Sequence, residues 1–168
     1  MQSNGSKYVA LVVVVLTSYF TYQWWFNPRR AIARRLANLA ASLSIPPGES
    51  DLSRVARLSQ LRQFFTDGVR IRGGRDRAEL TSREAVLGAA AAWPSPPGGA
   101  TVAFVDAQVE LTDATSARVY AAVEVTARNE RTGETTADSR DCSIRLVKED
   151  ADWKISEADV KEPAPQTP

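Results

Sequence analysis

In 117-ARVYAAVEVTA-127 every second residue is apolar: Ala117, Val119, Ala121, Val123, Val125 and Ala127 alternate with Arg118, Tyr120, Ala122, Glu124 and Thr126. A period of two sends one set to each face of a β-strand, one toward a core and one toward water. The same period continues on both sides. Upstream, residues 101–111 carry Val105, Ala107, Val109 and Leu111 on one side, while Val102 and Phe104 have the opposite parity. That switch predicts a bulge near Phe104-Val105. Downstream, Thr132-Gly133 marks a hairpin turn, and 136–146 sets Cys142, Ile144 and Leu146 on one face. Glu149-Asp150-Ala151-Asp152 turns the chain again, and Trp153-Lys154-Ile155 begins a last strand that reaches about Val160. The second half of the chain is thus a meander of long antiparallel strands.

The first half has a helical period. Asn27-Pro28 pairs an N-cap residue with proline at the first helical position. Ile32, Leu36, Leu39 and Leu43 then follow at spacings of four, three and four, which makes one apolar face. Ile45-Pro46-Pro47-Gly48 breaks the chain. Ser50 or Asp51 caps a second helix to about Phe65, with Leu52, Val55, Leu58, Leu61, Phe64 and Phe65 as its apolar side. Val69-Arg70-Ile71-Arg72 alternates as a short strand. Thr81-Ser82-Arg83-Glu84 has the form of a capping box and opens a third helix through Ala85, Val86, Ala89, Ala90 and Trp93. Residues 94–99, PSPPGG, form a loop.

One more segment belongs to neither pattern. Residues 8–26, YVALVVVVLTSYFTYQWWF, contain no charge. As a helix rising 1.5 Å per residue they span roughly 28 Å, one hydrocarbon thickness. Trp24 and Trp25 crowd one end as an aromatic belt does, and Arg29, Arg30, Arg34 and Arg35 follow it. A cleaved signal peptide fits less well, because the bulky TYQWWFNP stands where a peptidase needs small side chains. The expected division is a tail at 1–7, a transmembrane helix at 8–26, a folded domain at 27–161 and a disordered tail at 162–168. Thr17 and Thr21 lie one turn apart on the span and offer a contact for another transmembrane helix. By arginine count the domain faces the cytoplasm from the cell (inner) membrane; the extracytoplasmic side is the alternative.

Composition removes several function classes. The 168 residues hold 21 basic and 20 acidic side chains, no histidine and one cysteine. Without histidine there is no Ser-His-Asp triad, no Cys-His dyad and no His-ligated zinc. One cysteine, Cys142, forms no intrachain disulfide and no CxxC motif. A net charge of +1 argues against a nucleic-acid partner. The charges are segregated: residues 27–90 carry twelve basic and six acidic groups, residues 91–168 eight and fourteen. The helical half is therefore positive and the sheet half negative. Seventeen arginines against four lysines, with twenty-five alanines, point to a GC-rich bacterial genome.

The order of helices, short strand, capped helix and meander resembles the nuclear transport factor 2-like superfamily, which includes SnoaL-like and ketosteroid-isomerase-like proteins. Residues 61–69 (LRQFFTDGV), residues 81–86 (TSREAV) and Asp152-Trp153-Lys154-Ile155 carry the resemblance. It implies an α+β fold in which helices pack on a curved antiparallel sheet, a cone around a pocket, here behind a single N-terminal transmembrane helix. The same cone serves enzymes, ligand binders and docking modules, so fold alone assigns no activity.

Enzymes of that superfamily use a pocket carboxylate as base, often with a tyrosine or histidine. Here Tyr120, the one tyrosine outside the span, has the parity of the outer face. The possible pocket residues are Trp93, Asp138, Arg140, Cys142 and Trp153. Each has a plainer reading: Trp93 and Trp153 as core, Asp138 and Arg140 as a rim ion pair, Cys142 as a small buried hydrophobe. Glu157 and Asp159 share parity with Trp153 and Ile155 but sit near the end of the last strand.

The leading expectation is a non-enzymatic accessory protein without a cofactor, whose cone docks onto other integral membrane proteins at the lipid bilayer. A tethered binder of a small apolar ligand is the alternative, and a lyase or isomerase the third reading. A pocket filled by its own side chains favours docking. An open apolar pocket favours a ligand.

Overall fold

The computed structural model describes residues 12–18, 27–73, 78–130 and 132–161. The tails 1–7 and 162–168 lie outside them, as does most of 8–26, with Thr21, Trp24 and Trp25. Residues 12–18 are helical, and Thr17 Oγ1 donates to the Val13 carbonyl at 2.7 Å. Among the described residues, no helix is long and apolar enough to cross a membrane.

The folded part has three helices and six strands: α1 (Pro28–Leu43), α2 (Asp51–Arg62), β1 (Phe65–Gly73), β2 (Ala78–Leu80), α3 (Arg83–Ala92), β3 (Ala100–Leu111), β4 (Ser116–Arg128), β5 (Thr135–Glu149) and β6 (Asp152–Val160). The strands form one sheet in the order β2-β1-β6-β5-β4-β3. The β3 to β6 meander is antiparallel throughout, and β1 joins it parallel to β6. This is the expected α+β architecture. Helix α1 lies against β3 and β6 and α3 against β1, while α2 packs mainly on the other two helices.

Helix α1 starts as its sequence dictates. The Asn27 side chain accepts from the Arg29 amide at 3.0 Å, and Pro28 occupies the first turn, where its missing N–H is no loss. Ile32, Leu36 and Leu39 are buried. They meet Leu61, Phe64, Phe65, Val69, Val119, Ile144, Leu146, Trp153 and Ile155 in one cluster. Each such side chain contributes about 1.5–3 kcal/mol by leaving water.

Four local expectations are corrected. Helix α2 stops at Arg62, and Phe64 and Phe65 turn into β1. Only the second half of its expected apolar side is covered: Leu61 is buried and Leu58 half-buried, whereas Leu52 and Val55 face solvent. The α3 cap is Ser82, whose hydroxyl accepts from the Ala85 amide at 3.2 Å. With the cap at Ser82 and not Thr81, Glu84 sits one residue too early to close a capping box, and instead meets Arg62 at 3.7 Å. The β3 bulge falls where the parity switch put it, at Val105, from which the register to β4 shifts before Gln108 and Asp106 takes a φ of 53°. A second bulge, which alternation alone did not show, falls at Ser156 in β6. It reverses the parity of the strand end, so Ala158 is buried and Glu157 points outward between Arg72 and Arg145.

Candidate functional site

The inward face of the sheet is not covered evenly. Past the packed cluster, the free ends of β1, β4, β5 and β6 and helix α3 enclose an open cavity of about 630 Å³. The sheet contributes Val123, Val125, Val160 and Ile71; β2 and α3 contribute Leu80, Ala89 and Trp93. Val125 pairs with Asp138 and Val123 with Arg140 across the β4–β5 ladder, so the alternation that faces valines inward brings this charged pair to the same cavity. Gly73 lets β1 close against β6 at the wall, since a Cβ there would stand 2.9 Å from that of Val160.

Two ion-paired anchors hold α3 in place. Arg83 Nη1 lies 2.6 Å from Asp67 Oδ1 in β1, which ties the start of the helix to the sheet edge. At its other end, Glu49 is buried and receives Arg57 through both oxygens, at 2.7 and 3.2 Å. Ser95 Oγ joins the cluster, 3.4 Å from Glu49 and 3.0 Å from Arg54 Nη2. That network fixes the corner just after Trp93. The Arg57 guanidinium holds the Glu49 carboxyl below its ordinary range, against the opposing effect of burial.

Of the expected pocket residues, Trp93, Asp138 and Arg140 come together. Trp93 ends α3 at its C-cap and leaves 47% of its surface open, so it is a wall, not core. Arg140 Nε donates to Asp138 Oδ2 at 2.9 Å, and both side chains are partly exposed at the rim. Cys142 and Trp153 lie instead in the packed cluster. Burial pushes the Cys142 thiol up, the opposite of what a reactive thiolate needs. Tyr120 faces outward, as its parity requires, beside Arg118.

The arginines that follow residues 8–26 divide. Arg29, Arg30 and Arg34 are exposed. Arg35 is structural: Nε donates to the Trp153 carbonyl at 3.0 Å, Nη2 to the Gln63 carbonyl at 2.6 Å, and the guanidinium lies 4.3 Å from the Phe64 ring centre. The pocket residues that sequence reasoning missed were partly legible. Val123 and Val125 follow from the parity already assigned to β4. Leu80 does not, because β2 is three residues long and carries no period.

As chemistry, the cavity is an apolar hollow with an arginine–carboxylate pair at its edge. Among the described residues, no group of three or more carboxylate or thiol side chains is placed to hold a metal ion.

Solved structures with this fold are numerous. A candidate scytalone dehydratase from Novosphingobium aromaticivorans superposes with a TM-score of 0.63 at 16% identity, covering 82% of this chain and 85% of its own. Aln2 from a Streptomyces species gives 0.65 at 15% identity, with 82% and 91% covered. The association domain of C. elegans CaMKII gives 0.63 at 10% identity, with 81% and 96% covered. At such identities the likeness is one of fold alone. A comparison with curated proteins finds no match. The SnoaL-like domain model matches residues 55–159, well over half of the chain, and the chain therefore belongs to the SnoaL-like family.

Proposed function

We propose that this protein is a membrane-anchored binder of a small apolar ligand, held in the cone without chemical change. The observation that carries the reading is the open cavity of about 630 Å³ walled by Ile71, Leu80, Val123, Val125 and Val160, with Trp93 across from them. A cavity of that size takes a small organic molecule, and its few polar groups set orientation. Arg140 and Asp138 sit where a hydroxyl, carbonyl or carboxylate on the ligand would reach the rim.

Catalysis is disfavoured by what the pocket lacks. The chain has no histidine, its one tyrosine outside the span faces away, and the Asp138 carboxylate is engaged by Arg140 at the rim. A general base needs to reach the proton it removes. The uncharged 8–26 stretch is the basis for the anchor.

Docking onto other integral membrane proteins is the second reading. The likeness to an association domain and the Thr17–Thr21 stripe favour it. An open cavity places it behind ligand binding, since docking alone leaves the hollow without a use.

The test is equilibrium dialysis of the full-length chain in nanodiscs against small apolar compounds bearing one hydroxyl, carbonyl or carboxylate. Empty nanodiscs are the blank. The expected result is saturable one-to-one binding that disappears in Val123→Trp/Ala89→Leu, which bulks the cavity from both walls, with the melting temperature kept. Binding no greater than to empty discs would overturn the reading.

A further inference from the structure

The outer face of the helical layer is unusual in both charge and polarity. Helix α1 contains no acidic residue. Its solvent side repeats Arg30, Ala33, Arg34, Ala37 and Ala41 at helical spacing, with Arg29 exposed beside them. Helix α2 has one acidic residue, Asp51 at its start. Its solvent side carries Leu52, which is 82% exposed, and Val55, which is 64% exposed, followed by Ala56 and Ser59. The two helices are neighbours. Arg35 in the first half of α1 reaches the Gln63 carbonyl just past the end of α2, and residues 44–50 join their other ends, so they run antiparallel. The nearby Glu49 carboxylate is buried and neutralised by Arg57. Together the helices form a face of exposed arginines and exposed aliphatic side chains, nearly free of negative charge.

We infer that this face lies on a bilayer surface rich in anionic lipid. Arginines at head-group level and aliphatic side chains below them are the two features of an interfacial helix. The position of the chain agrees. The uncharged stretch ends at Phe26, and Asn27 already caps α1, so no linker separates bilayer from helix. This step rests on the anchor given under Proposed function. The charge of the whole domain orients it the same way: the helical half is positive, and the negative sheet half turns from the membrane. A second copy is a poorer occupant, because it would oppose one row of arginines with another.

The test uses the full-length chain in nanodiscs of phosphatidylcholine with or without phosphatidylglycerol. A spin label is placed at Val55→Cys, and a control label at Glu124→Cys on the outer face of the sheet. Collision rates with oxygen, which concentrates in lipid, and with a water-soluble nickel complex report depth. In anionic discs the label at position 55 is expected to favour oxygen several-fold over the control. That preference falls to the control level in neutral discs and in Arg29→Glu/Arg34→Glu. A label at 55 that stays in water in every disc overturns the proposal while leaving the anchor standing. Shielding from both reagents with spin–spin broadening overturns it in favour of a second copy. A chain that does not remain with the discs removes the anchor, and the surface proposal with it.

Discussion

At one end of β4, Ala117, Val119 and Ala121 are buried in the cluster with Ile32, Leu36, Leu61 and Phe64. At the other end, Val123 and Val125 are half-buried and line an open cavity. The alternation is continuous across both ends. What differs is the cover: Ile32, Leu36, Leu61 and Phe64 press on one end, while Ala89 and the half-exposed Trp93 face the other across an open cavity. Inward-facing apolar residues therefore build a core where a neighbour is pressed onto them and line an open cavity where it is not. Stability should be concentrated at the first end, and ligand affinity at the second.

The sharpest way to break this contrast is to truncate one side chain at each end. Leu146→Ala, in the packed cluster, is expected to cost about 2–5 kcal/mol. Val123→Ala should cost under about 1 kcal/mol, because its methyl groups already face an opening. Urea unfolding of both variants decides it, and equal losses would mean that the two ends are packed alike. Next in size is Arg35→Ala, which leaves the Trp153 and Gln63 carbonyls without their donor and removes the cation from Phe64. The expected loss is about 1–3 kcal/mol, read in the same unfolding curves, whereas Arg34→Ala on the exposed face should change little.

Glu49 connects the ends through the corner that follows Trp93. Its carboxyl is held below the ordinary value of 4.5 chiefly by Arg57, so ionisation favours the folded state. The contribution is complete above the unfolded value and is lost as pH falls through the lower folded value. Wild-type stability should therefore decline below about pH 4.5 more steeply than that of Glu49→Gln, and Trp93 fluorescence should move with it. Parallel stability curves for the two proteins would show that the network does not hold this corner.

The smallest effect has the opposite sign. Asp150 and Ala151 form the β5–β6 turn with φ of 51° and 70°, a conformation that costs an L-residue about 1–2 kcal/mol. Ala151→Gly relieves it, less the larger entropy that glycine loses on folding, and should stabilise the protein by up to about 1 kcal/mol. A lower melting temperature in that variant would contradict the assignment of the turn.

How far these features were legible in the sequence depends on whether the residues obey a period. The β4 and β5 alternation and the α1 stripe read correctly because no inserted residue interrupts their period. Ser156 did not, because one inserted residue moves Glu157 and Asp159 to the other face without altering composition. Leu52 and Val55 misled for a related reason. Their helical spacing matches a buried stripe, yet spacing records amphipathicity and not which partner covers it. Trp93 was named as a pocket residue, but that it stands as an open wall depends on the ion-paired corner formed by Glu49, Arg57 and Ser95, residues brought together only by the fold.

The most direct test of the account is to ask what the cavity holds when the protein is purified from the cells that make it. Full-length wild type and Val123→Trp/Ala89→Leu are purified in parallel, extracted with organic solvent and compared by mass spectrometry. The account predicts a small apolar compound, near one per chain, in the wild-type extract and missing from the variant. Extracts of identical composition, from two proteins of equal stability, would contradict it.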